Sequence, residues 1–306
     1  MNNFKLTILG SCAAIPALGR FTSCQHLTIQ NRHFLIDCGE GAQMQLAKYD
    51  IAISKINHIF ISHLHGDHHL GLMGLLFSMH LQKRQTDLHL YSPNGLNEII
   101  LLHLKYSNSS LNYTLHYHPF NTDEKKLIFE DKVLTIETIP LNHKLPCAGF
   151  LFKEKEKLRN LRKEMLKDGM LLQHLATLKR GEDVFDSDGK LLYKNEDYTL
   201  PPNPQNSYAY CSDTMWNESM IDQIKDVNWL YHEATFMEEE KDKALETKHS
   251  TAKQAAQMAK LCKAKFLVIG HFSARYRELE PLLAEAKEIF PATSLAIEGK
   301  IFDLEL

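Results

Sequence analysis

The stretch His63-Leu64-His65-Gly66-Asp67-His68 constrains this chain more than any other. Ile56 to Ile61, short, apolar and β-branched, runs into it and reads as a buried strand. His69 to Leu81 runs out of it with helical spacing. The cluster therefore sits where a strand ends and a helix begins, the edge at which layered α/β chains build their sites. Imidazole nitrogen and carboxylate oxygen suit zinc and similar divalent ions. From an extended loop, His63 and His65 can share one ion, and Asp67 and His68 then point at a second position. Two ions roughly 3.5–4 Å apart clamp the attacking and leaving oxygens of a displacement. The bland alternative is a His-rich loop that binds nothing, but four ligand-type side chains at one strand end are hard to place without a metal.

The same pattern recurs downstream. His143 follows KVLTIETIPL, Asp213 follows SYAYCS, and His271 follows KFLVIG, each at the end of an apolar strand pattern. Strand ends that each deliver His or Asp are how two metals would be assembled at one edge of a sandwich. The expected grouping is His63, His65 and His143 on one ion, Asp67, His68 and His271 on the other, and Asp213 bridging with its two oxygens. WLYHEATF is a further strand, ending in His232-Glu233. KHSTAKQAAQMAKLC places Ser250 or Thr251 as the cap of a helix, with His249 just ahead. The alternating His116 and His118 read as one face of a half-exposed strand. His58, His80, His89, His103 and His174 lack ligand neighbours.

With 306 residues and an ordinary apolar share, the chain can form one large α/β domain or two small ones. A formal charge of −3 argues against broad coating of nucleic acid, though not against a local basic patch. The six cysteines form no CxxC pair and read as reduced, mostly buried thiols. No signal peptide and no membrane-length apolar run is visible, so the expectation is a soluble, cytoplasmic protein. Composition shifts between Lys153 and Asn206, where KEKEKLRNLRKEMLKDG is charged, with Leu158, Leu161 and Met165 at helical spacing. A polar stretch with three closely spaced prolines follows. Residues 153–206 read as an insertion projecting from a single 1–306 domain, a helix with a hairpin, serving as a binding arm or as a merely solvated element.

The HLHGDH stretch, together with the spaced His143, Asp213 and His271, resembles the metallo-β-lactamase superfamily. LIDCGEGAQMQL, YHEATF, KHSTAKQAA and GHFSARY resemble ribonuclease Z, the tRNA 3′-processing endoribonucleases, and the likeness spans nearly the whole chain. It implies an αββα sandwich, two zinc ions, a homodimer, and cleavage of precursor tRNA after the discriminator base, leaving a 3′-hydroxyl. It also implies that Asp67 is a ligand-side carboxylate that takes a proton from the attacking water, and that His249 stabilises the scissile phosphate or protonates the leaving oxygen. Glu233 is the expected orienting partner of His249. Arg275, Ser273 and Arg20 are candidate substrate contacts, Arg275 by a two-pronged phosphate contact; the bland alternative for Arg275 is a surface ion pair. Two departures stand out. The arm segment GMLLQHLATLKRGEDV keeps LKRG without the family's Gly-Pro, and Phe21 stands where the family commonly has Asn. Competing readings are another metallohydrolase acting on a small phosphodiester or thioester, and a non-catalytic RNA-binding module.

Overall fold

The computed structural model describes residues 4–305. The chain opens with β1 (Phe4–Gly10), β2 (Cys24–Ile29) and β3 (Arg32–Ile36), then α1 (Ala42–Lys48) and β4 (Ile56–Phe60). Two helices follow, α2 (Gly66–His69) and α3 (Leu72–Leu81), then β5 (Leu88–Ser92), α4 (Leu96–Tyr106) and β6 (Leu115–Pro119). The next strands are β7 (Leu127–Glu130), β8 (Leu134–Pro140) and β9 (Ala148–Glu154). Residues 155–206 carry β10 (Asn160–Leu161), α5 (Leu172–Lys179), β11 (Val184–Phe185), β12 (Leu191–Tyr193), α6 (Asn195–Tyr198) and β13 (Thr199–Leu200). The chain then returns through β14 (Ser207–Cys211), β15 (Trp229–Glu233), α7 (Lys241–Thr247), α8 (Ala252–Leu261), β16 (Phe266–Gly270), α9 (Glu280–Ile289), β17 (Thr293–Leu295) and β18 (Ile301–Asp303).

Two large sheets, β18-β1-β2-β3-β4-β5-β6 and β17-β16-β15-β14-β9-β8-β7, take all of these strands but four, which pair as β10-β13 and β11-β12. Strand alternation sends successive side chains to opposite faces, and here it sorts them into layers. On β3, Phe34 and Ile36 face the second sheet while Leu35 faces the helices; on β14, Tyr208 and Tyr210 face inward while Ala209 and Cys211 face outward. The inter-sheet layer is aromatic, with Phe60, Phe150, Phe152 and Tyr231 alongside Phe34 and the two tyrosines. Truncating one such ring, Phe150→Ala, would cost about 3–5 kcal/mol. Helices α1, α3 and α4 cover the outer face of the first sheet, and α8 and α9 that of the second. Ala252, Ala255, Ala256 and Ala259 let α8 lie close on its sheet. The result is the αββα order of layers.

Register then decides where the site falls. Strands β3 to β6 run parallel, as do β14 to β17. Strand β8 is antiparallel to β9, and β9 to β14, so β8 ends at the same edge as β14. The C-terminal ends of β3, β4, β8, β14, β15 and β16 thus open on one crevice, where α/β sheets bind ligands.

Two local expectations are corrected. The helix read over His69–Leu81 is broken into α2 and α3 at Leu70-Gly71. Gly71 packs against the Cys38-Gly39 loop so closely that a Cβ there would sit 2.0 Å from the Gly39 carbonyl oxygen. The break leaves Asp67 and His68 on a separate short turn. In residues 155–206 the charged stretch around Leu158 and Leu161 is not helical. Leu161 instead pairs with Thr199, and the helix forms at Leu172–Lys179. Leu178, Val184 and Tyr198 close a small apolar cluster of their own, with Leu161, Met170 and Tyr193 against it. All six cysteines are free and buried. No helix among the described residues is long and apolar enough to cross a membrane.

Candidate metal centre and active site

The loop after β4 supplies His63 and His65, the short helix α2 supplies Asp67 and His68, the loop after β8 supplies His143, and the residues just past β14 and β16 supply Asp213 and His271. They converge in two groups. In the first, His65 Nδ1 lies 3.0 Å from His63 Nε2 and 3.1 Å from His143 Nε2. Asp213 Oδ2 lies 3.6 Å from His63 Nε2 and 3.7 Å from His143 Nε2. In the second, Asp67 Oδ2 is 3.5 Å from His68 Nε2 and 3.4 Å from His271 Nε2. Asp213 Oδ1 is 3.3 Å and 3.2 Å from the same two nitrogens. One carboxylate therefore offers an oxygen to each group. A tetrahedral divalent ion with bonds of 2.0–2.1 Å holds its ligands about 3.3 Å apart, which is the spacing of both groups. His68 Nε2 is buried and has no hydrogen-bond partner, although it faces two carboxylates. A buried ring nitrogen left unbonded beside carboxylates fits a metal ligand.

The other ring nitrogens of His63, His68, His143 and His271 are committed, which fixes their tautomers. His68 Nδ1 donates to Asp37 Oδ2 at 2.7 Å, and His143 Nδ1 donates to the Lys248 carbonyl at 3.0 Å. His63 Nδ1 meets Ser62 Oγ at 3.0 Å, and His271 Nδ1 meets Thr235 Oγ at 2.9 Å. Asp67 Oδ2 also accepts the Ala14 N–H at 2.8 Å. The sequence reading missed Asp37, Ser62, Thr235 and Lys248. Asp37 stands at the end of β3 in the LIDCG stretch, fully buried, with φ of +55°; His271 has φ of +58°. Left-handed backbone is uncommon for a residue with a side chain, and its appearance at two of these positions marks strain held by the surrounding structure.

Charge points the same way. Burial holds His63 well below the usual imidazole range, so it stays neutral as a ligand must. Burial would raise the Asp67 carboxyl, yet the His68 and His271 imidazoles outweigh that and hold it far below the usual carboxylate range. Asp213 behaves likewise against His271, His68 and His63. Burial would lower His68, but Asp213, Asp37 and Asp67 together pull it up. Three carboxylates around one imidazole draw in positive charge, and a divalent cation at this place meets the same demand.

Comparisons with known proteins match one family model over part of the chain and curated relatives over nearly all of it. A family model described as Anti-Pycsar protein Apyc1 matches residues 4–175. A curated relative named Ribonuclease Z from Cytophaga hutchinsonii is 48% identical, covering 98% of this chain and 96% of its own. Another of the same name from Bacteroides thetaiotaomicron is 44% identical, covering 98% and 95%. The chain belongs to the ribonuclease Z family. That family comprises the phosphodiester-hydrolysing endoribonucleases of tRNA 3′ processing, and through residues 4–175 the chain also belongs to the family that the matching model describes. Among solved structures, the short form of human tRNase Z matches with a TM-score of 0.72 at 26% identity, covering 99% of this chain and 100% of that one. The metallo-β-lactamase fold protein YhfI of Bacillus subtilis matches with a TM-score of 0.70 at 17% identity, covering 99% of each chain, and shows the fold.

In this ribonuclease Z family member a cavity of about 640 Å³ opens over the two groups. His249, just before α8, lines it. Its Nδ1 lies 2.8 Å from Glu233 Oε1. Glu233 is fully buried at the end of β15 and also accepts Thr214 N–H, Thr235 N–H and the Thr235 hydroxyl. Burial alone would depress His249; the Glu233 carboxylate outweighs it and pushes the imidazole up to about 9. His249 can also be grouped with Asp213 and His271 around a cation; with its Nδ1 on Glu233, Nε2 is the ring nitrogen left to do so. Thr251 caps α8, with Gln254 returning the bond.

The remaining expected residues fall unevenly. Ser273 and Arg275 line the cavity, with Arg275 bonded to Glu240 at 2.7 Å and lying over the Phe236 ring. Arg20 is not brought to the cavity: it is buried, with Nη2 donating to the Tyr276 carbonyl at 2.6 Å. His116 pairs with Asp87, and His118 with His89, on a half-buried strand face. His232 turns away, its Nδ1 on the Glu233 carbonyl.

Proposed function

We propose that this chain is a zinc-dependent endoribonuclease that removes 3′ trailers from precursor tRNA and leaves a 3′-hydroxyl on the tRNA, with two zinc ions per chain. The observation that carries the reading is Asp213, whose two oxygens face two separate groups of His and Asp donors. His63, His65 and His143 with Asp213 Oδ2 would hold one ion; Asp67, His68 and His271 with Asp213 Oδ1 would hold the other. Zinc so held supplies Lewis acidity and lowers the pKa of water to about 7.

The chain's own residues do the rest. Asp67, held in place by the Ala14 N–H, would take the proton that the attacking water gives up. His249 is kept protonated by Glu233, and with Nδ1 committed it can present its other ring nitrogen to the leaving oxygen. Thr235 ties this pair to the ligands, because its hydroxyl touches both Glu233 and His271. Lys144, Lys243 and Arg275 line the cavity and would meet phosphates on either side of the cut. Arg275 exchanges its Glu240 partner for a phosphate in this reading.

Residues 153–206 serve as a tRNA-binding arm. What supports this is a segment with its own small core that keeps Lys157, Arg159, Lys163, Lys179 and Arg180 on or near its surface. Glutamates interleave with them, so the contact would be modest and salt-sensitive. We also read the protein as a cytoplasmic homodimer. The free, buried cysteines suit a reducing compartment, and Leu101, Leu102 and Tyr106 leave an exposed apolar face on α4. Light scattering on eluted protein reports the oligomer.

The test is a pair of substrates offered to purified protein of measured zinc content. Close to two zinc per chain and cleavage of a 3′-extended tRNA are expected. Turnover of a small diester with the tRNA left whole would favour the small-substrate alternative. A metal content near zero after incubation with zinc would remove the catalytic reading.

A further inference from the structure

Two carboxylates flank the centre from opposite sheets, Asp37 at the end of β3 and Asp213 past the end of β14. Between them stand two buried hydroxyls that no step above uses. The Tyr210 hydroxyl donates to Asp37 Oδ2 at 2.6 Å, and the Ser212 hydroxyl donates to Asp213 Oδ1 at 3.0 Å. The two hydroxyl oxygens are 3.3 Å apart. Two protons serve three contacts. Bonds to charged acceptors are the stronger ones, so each hydroxyl is committed outward to its own carboxylate and the middle contact is left without a proton. The line crosses the sandwich, because Tyr210 belongs to the second sheet and Asp37 to the first.

We propose that Tyr210 and Ser212 are positioning residues for the second of the two ion positions, and this rests on the two-ion reading above. Both act on the same side. The Asp37 oxygen that takes the Tyr210 proton is the one that accepts His68 Nδ1, and this bond aims His68 Nε2 into the second group. The Asp213 oxygen that takes the Ser212 proton is Oδ1, which faces His68 and His271. His63 and His143 face the other oxygen. The first position meets this line at one remove, through the other oxygen of Asp213 and through Ser62, whose hydroxyl touches both Asp37 and His63.

The tyrosine ring has a separate packing role, stacked on Tyr231 with centroids 5.0 Å apart. Tyr210→Phe keeps that ring and removes only the proton donor, so Asp37 loses one of the groups that hold it. Ser212→Ala removes the other hydroxyl with little change in volume. A partner one step behind a metal ligand is typically worth 10–100-fold in metal affinity.

The experiment titrates the metal-free full-length chain with zinc against a chromophoric chelator of known affinity, for the wild type, Tyr210→Phe and Ser212→Ala. The melting temperature of each metal-free form is read alongside. Wild type should take two ions. Each variant should weaken the first far less than the second, which should bind about 10–100-fold more weakly, without a matching fall in the metal-free melting temperature. Equal weakening of both ions, or a second affinity within about twofold of wild type against that 10–100-fold expectation, overturns the proposal. Should Tyr210→Phe fold poorly, Ser212→Ala alone decides. A wild-type chain that takes fewer than two ions overturns the two-ion reading and the proposal together, and the wild-type titration tells that failure from the variants' own.

Discussion

At the candidate metal centre, most donors the chain supplies are held in place by another group, whereas residues 155–206 fold around three buried apolar side chains and leave Leu158, Leu171, Leu172 and Phe185 exposed. His68 leans on Asp37, His143 on the Lys248 carbonyl, His271 on Thr235 and Asp67 on the Ala14 N–H. On the reading proposed above, the difference follows from what each region would do. Ion positions tolerate errors of a few tenths of an ångström, so their ligands are fixed by hydrogen bonds inside a water-poor edge. A surface that meets a long polyanion needs charge and reach more than it needs fixed geometry.

The sharpest way to break this comparison is Asp67→Ala. It removes a donor of the second group and the proposed proton acceptor together, and turnover of precursor tRNA should fall by about 10²–10⁴-fold or more. Steady-state cleavage with wild-type protein alongside checks it, and retained turnover would separate the centre from the chemistry. Next comes Asp37→Asn, which leaves the backbone intact and weakens the hold on His68. Zinc affinity should fall about 10–100-fold, read by chelator competition.

Removing the arm should act on substrate choice and spare the centre. A deletion of residues 158–202 closed by a short Gly-Ser link keeps the bonds from Asn206 to Glu154 that close the neck of the segment. The KM for precursor tRNA should rise on the order of tenfold or more, since a second contact point is lost, while turnover of a small diester and the zinc content stay put. Equal losses on both substrates would end the arm reading. The smallest effect belongs to Leu178→Ala, which opens the arm's cluster at about 2–5 kcal/mol. Limited proteolysis should speed up within residues 155–206 alone, with the zinc content unchanged.

The contrast also explains what the amino-acid order could reveal. The ligands were legible because each follows a short apolar strand, and His or Asp at a strand end is a local pattern. Asp37 follows a strand too, but a lone Asp before Cys-Gly carries no ligand pattern of its own. Its partners Ser62, His68 and Tyr210 lie 25, 31 and 173 residues away. Thr235 sits in YHEATF, where only its contacts with Glu233 and His271 give it meaning. Arg20 looked like a free cation in a loop, yet the fold buries it under the Tyr276 carbonyl. In the arm, the helical spacing of Leu158, Leu161 and Met165 lost to pairing between Leu161 and Thr199. Spacing carries little weight where a segment buries few side chains and its neighbours in space decide.

The central claim is that two gathered sets of donors make a nuclease for the 3′ end of tRNA. Mapping the product ends after zinc-loaded protein meets a 3′-extended precursor tests it most directly. One cut just after the discriminator base is expected, with a 3′-hydroxyl on the tRNA, lost when zinc is chelated and restored when it is returned. Scattered cuts, a 3′-phosphate on the tRNA, or cleavage indifferent to chelation would contradict it.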